Sequence, residues 1–461
     1  MTPHDALPAG FSGHGEPMKQ ARLLAEHLAG RSQGLSLSDI LREMGWEEAR
    51  RSTVHTWLSL ARAQGWVEVT GERRWARWSA AAPLQREALR RYLDQPVSQR
   101  PRIGYDPGFL EEYQPNRSYY LDAASRQRLH AQCQPGSAVF SGLSTHDQSL
   151  FMCGLSFASS NMEGNPYDMA ATEKLLLEQQ EKVGASPTDT TMILNHHEAV
   201  SYLVNNIQYP PLRRNVALLE RDIKALHALL SAYLLKDPRA CGRLRRCPVR
   251  IDQSSYVPLV VPDEIARCFS EVLHKANQIE DPYEQAFFLL VHLPYLQAFE
   301  DCNKRTARVA CNIPLLRAGV IPMSWMDVDH REFTSGLLGV YEKCDPVLLA
   351  EVFTQGYIHS SERFLIMQRS AAPDEIVVNY RQELRSYIRA VVLGGDVDTP
   401  PDVRPEHQQA FFEFVERELA YLRDLDQAAL VRLRLKEGDV RQWLAQDTEA
   451  QMAPVRERQV A

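Results

Sequence analysis

The chain has 461 residues, a formal net charge of −7 at pH 7 and an apolar content of 44%. This length predicts two to four domains, and the ordinary apolar content argues against wholesale disorder. The acidic balance excludes a protein that coats nucleic acid over its whole surface, although a local basic patch stays open. The eight cysteines lack Cys-x-x-Cys spacing, which fits reduced thiols in a cytoplasm. The sequence shows neither a signal peptide nor an apolar run of eighteen residues, so we expect no membrane partner.

The N-terminal region predicts three helices followed by a β-hairpin. Residues 1–16 are rich in Gly and Pro and predict a flexible start. Apolar spacing from Pro17, over Leu37–Met44 and over Ser52–Gln64 predicts the helices, and alternating residues around Gly71 predict the hairpin. Residues 17–80 therefore resemble a winged helix-turn-helix.

This module carries residue types that suit DNA phosphates and base edges. The candidates are Arg50, Arg51, Ser52, Thr53 and His55 at the third helix, with Arg73 and Arg74 in the hairpin. Ten Lys and Arg stand against seven Asp and Glu in residues 17–80, so the local charge is only mildly positive. Docking or dimerisation with solvated arginines is the alternative to DNA binding.

Residues 81–149 predict a connector, which contains a basic amphipathic helix at Leu84–Leu93 and several prolines. Beyond it, Ser159 and Glu163 are four residues apart and followed by Gly164. This spacing places a hydroxyl and a carboxylate on one helix face. A further helix is expected to begin near Ala170.

The following segments predict helices and one hairpin. Asn195–Val204 predicts a helix, in which the adjacent His196 and His197 diverge by about 100° and do not suit one metal ion; capping or surface roles are expected for them. Leu212–Leu235 and Leu273–Leu296 also predict helical material. The β-branched and turn residues of Gly242–Pro258 predict a hairpin.

The most informative stretch is residues 297–308, which read Gln-Ala-Phe-Glu-Asp-Cys-Asn-Lys-Arg-Thr-Ala-Arg between two apolar segments. An acid followed by clustered cations at a helix start suits Mg²⁺ and a polyphosphate, because the carboxylate holds the metal while N–H groups and cations hold phosphate oxygens.

This stretch resembles the loop of the Fic/Doc family, His-x-Phe-x-Asp/Glu-Gly-Asn-Gly-Arg-x-x-Arg. The matching residues are Phe299, Asp301, Asn303, Arg305 and Arg308. The resemblance covers residues 150–360 and implies ATP and Mg²⁺ as ligands. It assigns the metal to Asp301, assigns phosphates to Asn303, Lys304, Arg305 and Arg308, and anchors the loop through Phe299. It also implies that Ser159, Glu163 and Gly164 form an inhibitory motif that pairs with Arg308, and that Gly242–Pro258 is a flap for the target chain.

Two departures bear on the reaction. Gln297 stands at the family's catalytic His, and an amide cannot accept the target hydroxyl's proton near neutral pH. His292 is expected to face elsewhere, and Glu300 points away, so we find no replacement base. Lys304 replaces a Gly and resembles the Doc branch, which transfers the γ-phosphate. Transfer of AMP to an unknown target protein, nucleotide sensing without catalysis, and phosphotransfer or removal of a modification therefore remain open.

The C-terminal residues 361–461 predict further helices, at Tyr380–Leu393 and His407–Leu425, which would pack on the core or mediate a homodimer. The sequence thus predicts a mostly α protein: a winged helix-turn-helix, a Fic helical core with a small β-hairpin flap, and a C-terminal helical extension. The function that competes with AMP transfer is a DNA-binding regulator whose degenerate Fic core senses a nucleotide.

Overall fold

The protein is mostly helical. The structure, a computed structural model, describes residues 17–31, 34–46, 50–71, 75–132, 145–207, 218, 220–370, 375–395, 397, 401–423 and 427–445. Its helices are α1 Pro17–Ala29, α2 Leu37–Glu43, α3 Arg51–Ala63, α4 Ala82–Leu93, α5 Pro107–Glu111, α6 Ala123–Gln132, α7 Thr145–Asn161, α8 Met169–Glu178, α9 Pro187–Ile207, α10 Glu220–Ser231, α11 Pro262–Ala276, α12 Pro282–Leu296, α13 Asn303–Ala310, α14 Asn312–Arg317, α15 His330–Lys343, α16 Val347–Ser370, α17 Glu375–Asn379, α18 Arg381–Leu393, α19 Gln408–Arg423, α20 Gln427–Leu433 and α21 Glu437–Leu444. The strands are β1 Val67–Thr70, β2 Arg77–Ala80, β3 Ile103–Gly104 and β4 Tyr256–Val257.

The chain divides into two compact units, Met1–Gln368 and Arg369–Ala461. The division falls near the end of α16, so position 361, where the sequence suggested a boundary, lies inside a continuous helix. The second unit comprises α17 to α21 around its own apolar core, which includes Tyr387, Phe411 and Trp443.

The N-terminal part of the first unit has the three helices and antiparallel hairpin that the sequence predicted. Ser36 caps α2, and its hydroxyl accepts a hydrogen bond from the Asp39 N–H at 3.1 Å while the Asp39 carboxylate accepts one from the Ser36 N–H. In the hairpin Val67 pairs with Ala80, and Thr70 pairs with Arg77. Winged helix-turn-helix remains our interpretation of this arrangement.

Helix α12 forms the centre of the first unit. Every residue of it except Pro282 and Gln285 is buried, as expected for a helix that is apolar on all sides. Its buried Glu284 accepts hydrogen bonds from the Tyr120 and Leu121 N–H groups at 2.7 and 3.0 Å. The connector is therefore fixed directly to the helix that precedes the loop at residues 297–302.

The hairpin predicted for Gly242–Pro258 is wrong. This segment is a loop that contains only the two-residue strand β4, which pairs in parallel with β3 from the connector. The Glu342 carboxylate accepts hydrogen bonds from the Ser254 hydroxyl at 2.8 Å and the Ser255 N–H at 3.1 Å. Because side chains from other elements satisfy this backbone, the local turn and β-branched residues do not pair with each other.

None of the helices in the described ranges combines the length and the apolar character that a membrane crossing requires.

Candidate active site

The site is built on the loop between α12 and α13, which turns at two left-handed residues. Gln297 ends α12 with φ 49°, and Cys302 precedes α13 with φ 58°. Left-handed backbone is costly for residues other than Gly, so the surrounding contacts must hold this loop. Phe299 lies between Gln297 and Cys302 in sequence, and its side chain is buried in the core.

The side chains of Gln297 and Asn303 form hydrogen bonds across the loop that fix its shape. Gln297 Nε2 donates to the Pro294 carbonyl at 2.8 Å, and its Oε1 accepts from Asn303 Nδ2 at 3.1 Å. Asn303 also bonds both backbone groups of Phe299, at 2.9 and 2.8 Å. These contacts give Asn303 a structural task in addition to the phosphate contact that the sequence suggested, and they fix the Gln297 amide.

His227 on α10 packs against the loop and bonds it. The sequence did not identify this residue. Its ring stacks on Phe299 with centroids 3.9 Å apart and an interplanar angle of 7°. The Gly242 N–H donates to Nδ1 at 2.9 Å, so Nε2 carries the proton and donates to the Asp301 carbonyl at 3.2 Å. Burial lowers the pKa of His227 to about 4, which keeps this neutral form at physiological pH.

Arg245 is a second supporting residue that the sequence did not single out. It is almost fully buried, and its guanidinium donates to the carbonyls of Gln297, Cys247 and Leu259. Its own N–H donates to the Ala298 carbonyl at 2.9 Å. The only local signal was an arginine-rich run, which does not reveal which arginine is buried.

Three cations follow the loop on α13. Lys304 is partly exposed, whereas Arg305 and Arg308 are buried. In the part of the chain that the structure describes, Nη1 of Arg305 and Nη1 of Arg308 are buried without a hydrogen-bond partner. Unpaired buried guanidinium nitrogens are unfavourable, so this corner of the site suits an anionic group.

Glu163 covers these cations, in the turn that follows α7. Its carboxylate accepts from Arg308 Nη2 at 2.7 Å and lies 3.2 Å from Lys304 Nζ. Ser159 holds the same guanidinium, because its hydroxyl accepts from Arg308 Nε at 3.1 Å and its carbonyl accepts from Nη2 at 2.9 Å. Gly164 continues the chain with φ 82°. The contact between Glu163 and Arg308 is therefore the one that the sequence predicted.

The charge balance of this corner favours an ionised Glu163. Burial alone would raise the pKa of its carboxyl, but the charges of Arg308, Lys304 and Arg305 outweigh burial and lower the pKa to about 2. At neutral pH the glutamate therefore occupies the cation cluster as an anion, in the place where another anion would bind.

Asp301 is the residue that suits a metal ion. Its side chain is 64% exposed, and its carboxylate accepts from the Cys302 N–H at 2.6 Å and from Arg305 at 3.4 Å. Among the described residues no group of three or more His, Cys, Asp or Glu side chains is placed to hold a metal. A Mg²⁺ ion here would therefore rely on Asp301 together with phosphate and water oxygens, which is common for this ion.

The histidines near the site have other tasks. His292 is buried, and its Nε2 lies 2.8 Å from the Tyr120 hydroxyl, so it faces away from Gln297 as predicted. The surface or capping role expected for His196 is wrong, because this side chain is fully buried. Its Nδ1 lies 2.9 Å from the Met192 carbonyl and 3.0 Å from the Ser160 hydroxyl, which joins α9 to α7.

Five of the candidate DNA-binding residues are described, and they lie at the start of α3 or within it. Arg51, Ser52, Thr53 and His55 are exposed on α3, and Arg51 donates to the Ser38 hydroxyl at 3.1 Å. Arg50 lies over the Trp46 ring at 5.8 Å. Arg73 and Arg74 lie outside the described residues.

Comparisons with known proteins place this loop in a family. Residues 217–315 match the model of the Fic/DOC family. Over 181 residues the chain is 26% identical to the protein adenylyltransferase Fic of Nematostella vectensis, and this alignment covers 38% of the chain and 40% of that relative.

Two solved structures are similar to the chain. Fic-1 (residues 134–508) from C. elegans has 16% identity and a TM-score of 0.44, covering 76% of this chain and 98% of that one. A Fic family protein from Desulfovibrio desulfuricans has 15% identity and a TM-score of 0.43, covering 60% and 82%. The loop at residues 297–302 and the cations that follow it lie within residues 217–315, the range that the family model matches, and on that match the chain carries a Fic/DOC family domain.

Proposed function

We propose that this chain binds Mg-ATP at the loop and α13 and transfers AMP to a hydroxyl group of a target protein, restrained by Glu163. The observation that carries the proposal is the cation cluster of Lys304, Arg305 and Arg308, in which Glu163 from another element pairs with Lys304 and Arg308. Withdrawal of Glu163 would leave these cations for phosphate oxygens. Asp301 stands at the open side of the same loop, where it would hold the ion.

The transfer is a substitution at the α-phosphorus. The target hydroxyl oxygen forms a bond to this phosphorus, the bond to the bridging oxygen of the β-phosphate breaks, and pyrophosphate leaves. Gln297 does not take the hydroxyl proton, so the proton passes to solvent. Since a positioned base contributes about 10²–10⁴ in rate, we expect slow transfer.

Two observations favour the alternative functions, nucleotide sensing without catalysis and transfer of the γ-phosphate. In the described residues, the hydrogen-bond partners of the Gln297 side chain include no carboxylate or imidazole, which favours a nucleotide sensor without catalysis. Lys304, in place of a small residue, adds a charge to the cradle and favours transfer of the γ-phosphate by a Doc-like route.

Labelled ATP distinguishes the three functions. The Glu163→Gly variant would be incubated with Mg²⁺ and a lysate of the source organism, once with α-labelled and once with γ-labelled ATP. AMP transfer predicts protein-bound label only from α-labelled ATP, and phosphotransfer predicts it only from γ-labelled ATP. The control is the same variant with Asp301→Ala. If neither label transfers although ATP binds, the proposed transfer is wrong and the sensor is favoured.

A further inference from the structure

A strongly basic segment lies beside the loop. Residues 236–250 contain six Lys and Arg and one acidic residue, in a chain whose net charge is −7. Arg245 is buried, whereas the other five cations are exposed: Lys236, Arg239, Arg243, Arg246 and Arg250. Arg239 pairs with Asp237 at 3.0 Å. The remaining four form no ion pair within the described part of the chain.

The buried Arg245 fixes this segment against the loop. Its N–H bonds the Ala298 carbonyl, and its guanidinium bonds the carbonyls of Gln297, Cys247 and Leu259. The exposed Arg246 therefore directly follows Arg245, whose guanidinium donates to the backbone carbonyl of Gln297. We call residues 236–250 the basic border.

Exposed valines adjoin the basic border. The Arg245 guanidinium joins Cys247 to Leu259, and the residues around Leu259 include Val257, Val260 and Val261 with 37%, 51% and 45% exposure. Unpaired arginines beside exposed aliphatic side chains suit an extended polypeptide that carries acidic residues. Nucleic acid is less well matched, because bases prefer aromatic platforms and these three side chains are aliphatic.

We propose that the basic border binds an acidic segment of the target protein next to the hydroxyl that it presents to the loop. The inference rests on the proposed function and adds the class of target. Solvent-exposed charges act mainly through steering and selectivity, so the border selects which proteins approach the site. Its contribution should weaken with salt, because the Debye length falls from about 10 Å at 0.1 M to about 3 Å at 1 M.

Peptide binding to the full chain tests the proposal without requiring transfer. The probes are a fluorescein-labelled peptide with one Ser between two runs of four Glu, and the same peptide with Gln in place of Glu. We expect fluorescence anisotropy to show binding of the acidic peptide that is about tenfold tighter than binding of the Gln peptide. The Arg243→Glu, Arg246→Glu and Arg250→Glu triple variant should lose this preference.

A matched variant controls for total charge. Arg62, Arg128 and Arg331 are exposed on α3, α6 and α15, and their replacement by Glu changes the net charge equally. Equal binding of the two peptides, or equal losses in both triple variants, would refute the proposal. A single-stranded oligonucleotide that binds through the basic border when the acidic peptide does not would also overturn it. Thermal unfolding checks each variant, and Arg→Gln triples replace any variant that does not fold. Absence of labelling in the ATP experiment leaves this binding result unaffected.

Discussion

Gln297 bonds the loop through both ends of its amide, since Nε2 donates to Pro294 and Oε1 accepts from Asn303. We predict that Gln297→His in the Glu163→Gly background raises AMP transfer by about 10²–10⁴, because an imidazole can take the hydroxyl proton. The initial rate of incorporation of α-labelled ATP measures this change. Gln297→Leu is the control, and a histidine variant no faster than it would show that a missing base does not limit the reaction.

Glu163 contacts the cation cluster and therefore competes with other anions for it. Glu163→Gly should tighten ATP binding about tenfold or more, because charge-assisted hydrogen bonds contribute about 1.5–3 kcal/mol each and Arg308 would be freed for the nucleotide. Isothermal titration calorimetry gives the affinity. Glu163→Gln keeps the shape without the charge and should fall between the two proteins. Unchanged affinity in both variants would contradict a blocking role.

The ionisation of Glu163 also has a pH signature. Its pKa is about 2 in the folded protein against an ordinary value of 4.5, so its stabilising contribution is complete above about pH 5 and is lost as the pH falls towards 2. We predict that the difference in free energy of unfolding between wild type and Glu163→Gln is constant from pH 8 to pH 5 and shrinks below pH 4.5. Denaturant unfolding at each pH measures it. If the difference in free energy of unfolding already changes between pH 7 and pH 6, a titrating group other than Glu163 determines it.

At the scale of elements, Gly242 is the point where the loop after α10 meets His227. It has φ 72°, and an added Cβ would lie 3.0 Å from the Lys224 carbonyl oxygen. Gly242→Ala should therefore destabilise the protein by about 1 kcal/mol or more. Urea unfolding measures the change, and Gly104→Ala is the control because no atom lies within 4 Å of its added Cβ. Equal effects at the two positions would refute the strain at Gly242.

Local apolar spacing predicted the helices of the site, whereas the contact between Glu163 and Arg308, 145 residues apart, was implied only by the resemblance to the Fic/Doc family. The sequence did not predict the parallel pairing of Ile103 with Tyr256, since the two residues are far apart in sequence. Buried carboxylates such as Glu342 also escaped notice, because burial of a charge depends on partners from several elements. His227 was missed for the same reason.

At the scale of the first unit, α4 joins the N-terminal module to α15. Leu84 is buried in the core of the N-terminal module, while the Tyr92 hydroxyl donates to the Glu342 carboxylate at 3.1 Å. Glu342 also accepts from Arg100 at 2.8 Å and from the Ser254 hydroxyl. The Glu342 carboxylate on α15 therefore links Tyr92 and Arg100, both in the connector, to Ser254 in the segment before β4.

DNA binding by the N-terminal module remains a prediction, and its geometry makes the prediction specific. Arg50 and Arg51 stand at the start of α3, while Arg77 is engaged by Asp39 at 2.8 Å. We expect a mobility shift on DNA from the region upstream of the chain's own gene, weakening steeply with salt because phosphate contacts release counterions. The Arg50→Ala and Arg51→Ala double variant should lose the shift.

Arg102→Ala with Arg331→Ala removes the same charge from positions outside the N-terminal module and should leave the shift intact. A shift that is lost in the first double variant and kept in the second would therefore place the DNA contact at the start of α3. A shift that survives the double variant would move the contact elsewhere. No shift at low salt would leave the N-terminal module as a protein-docking element, and the regulator function would lose its DNA-binding basis.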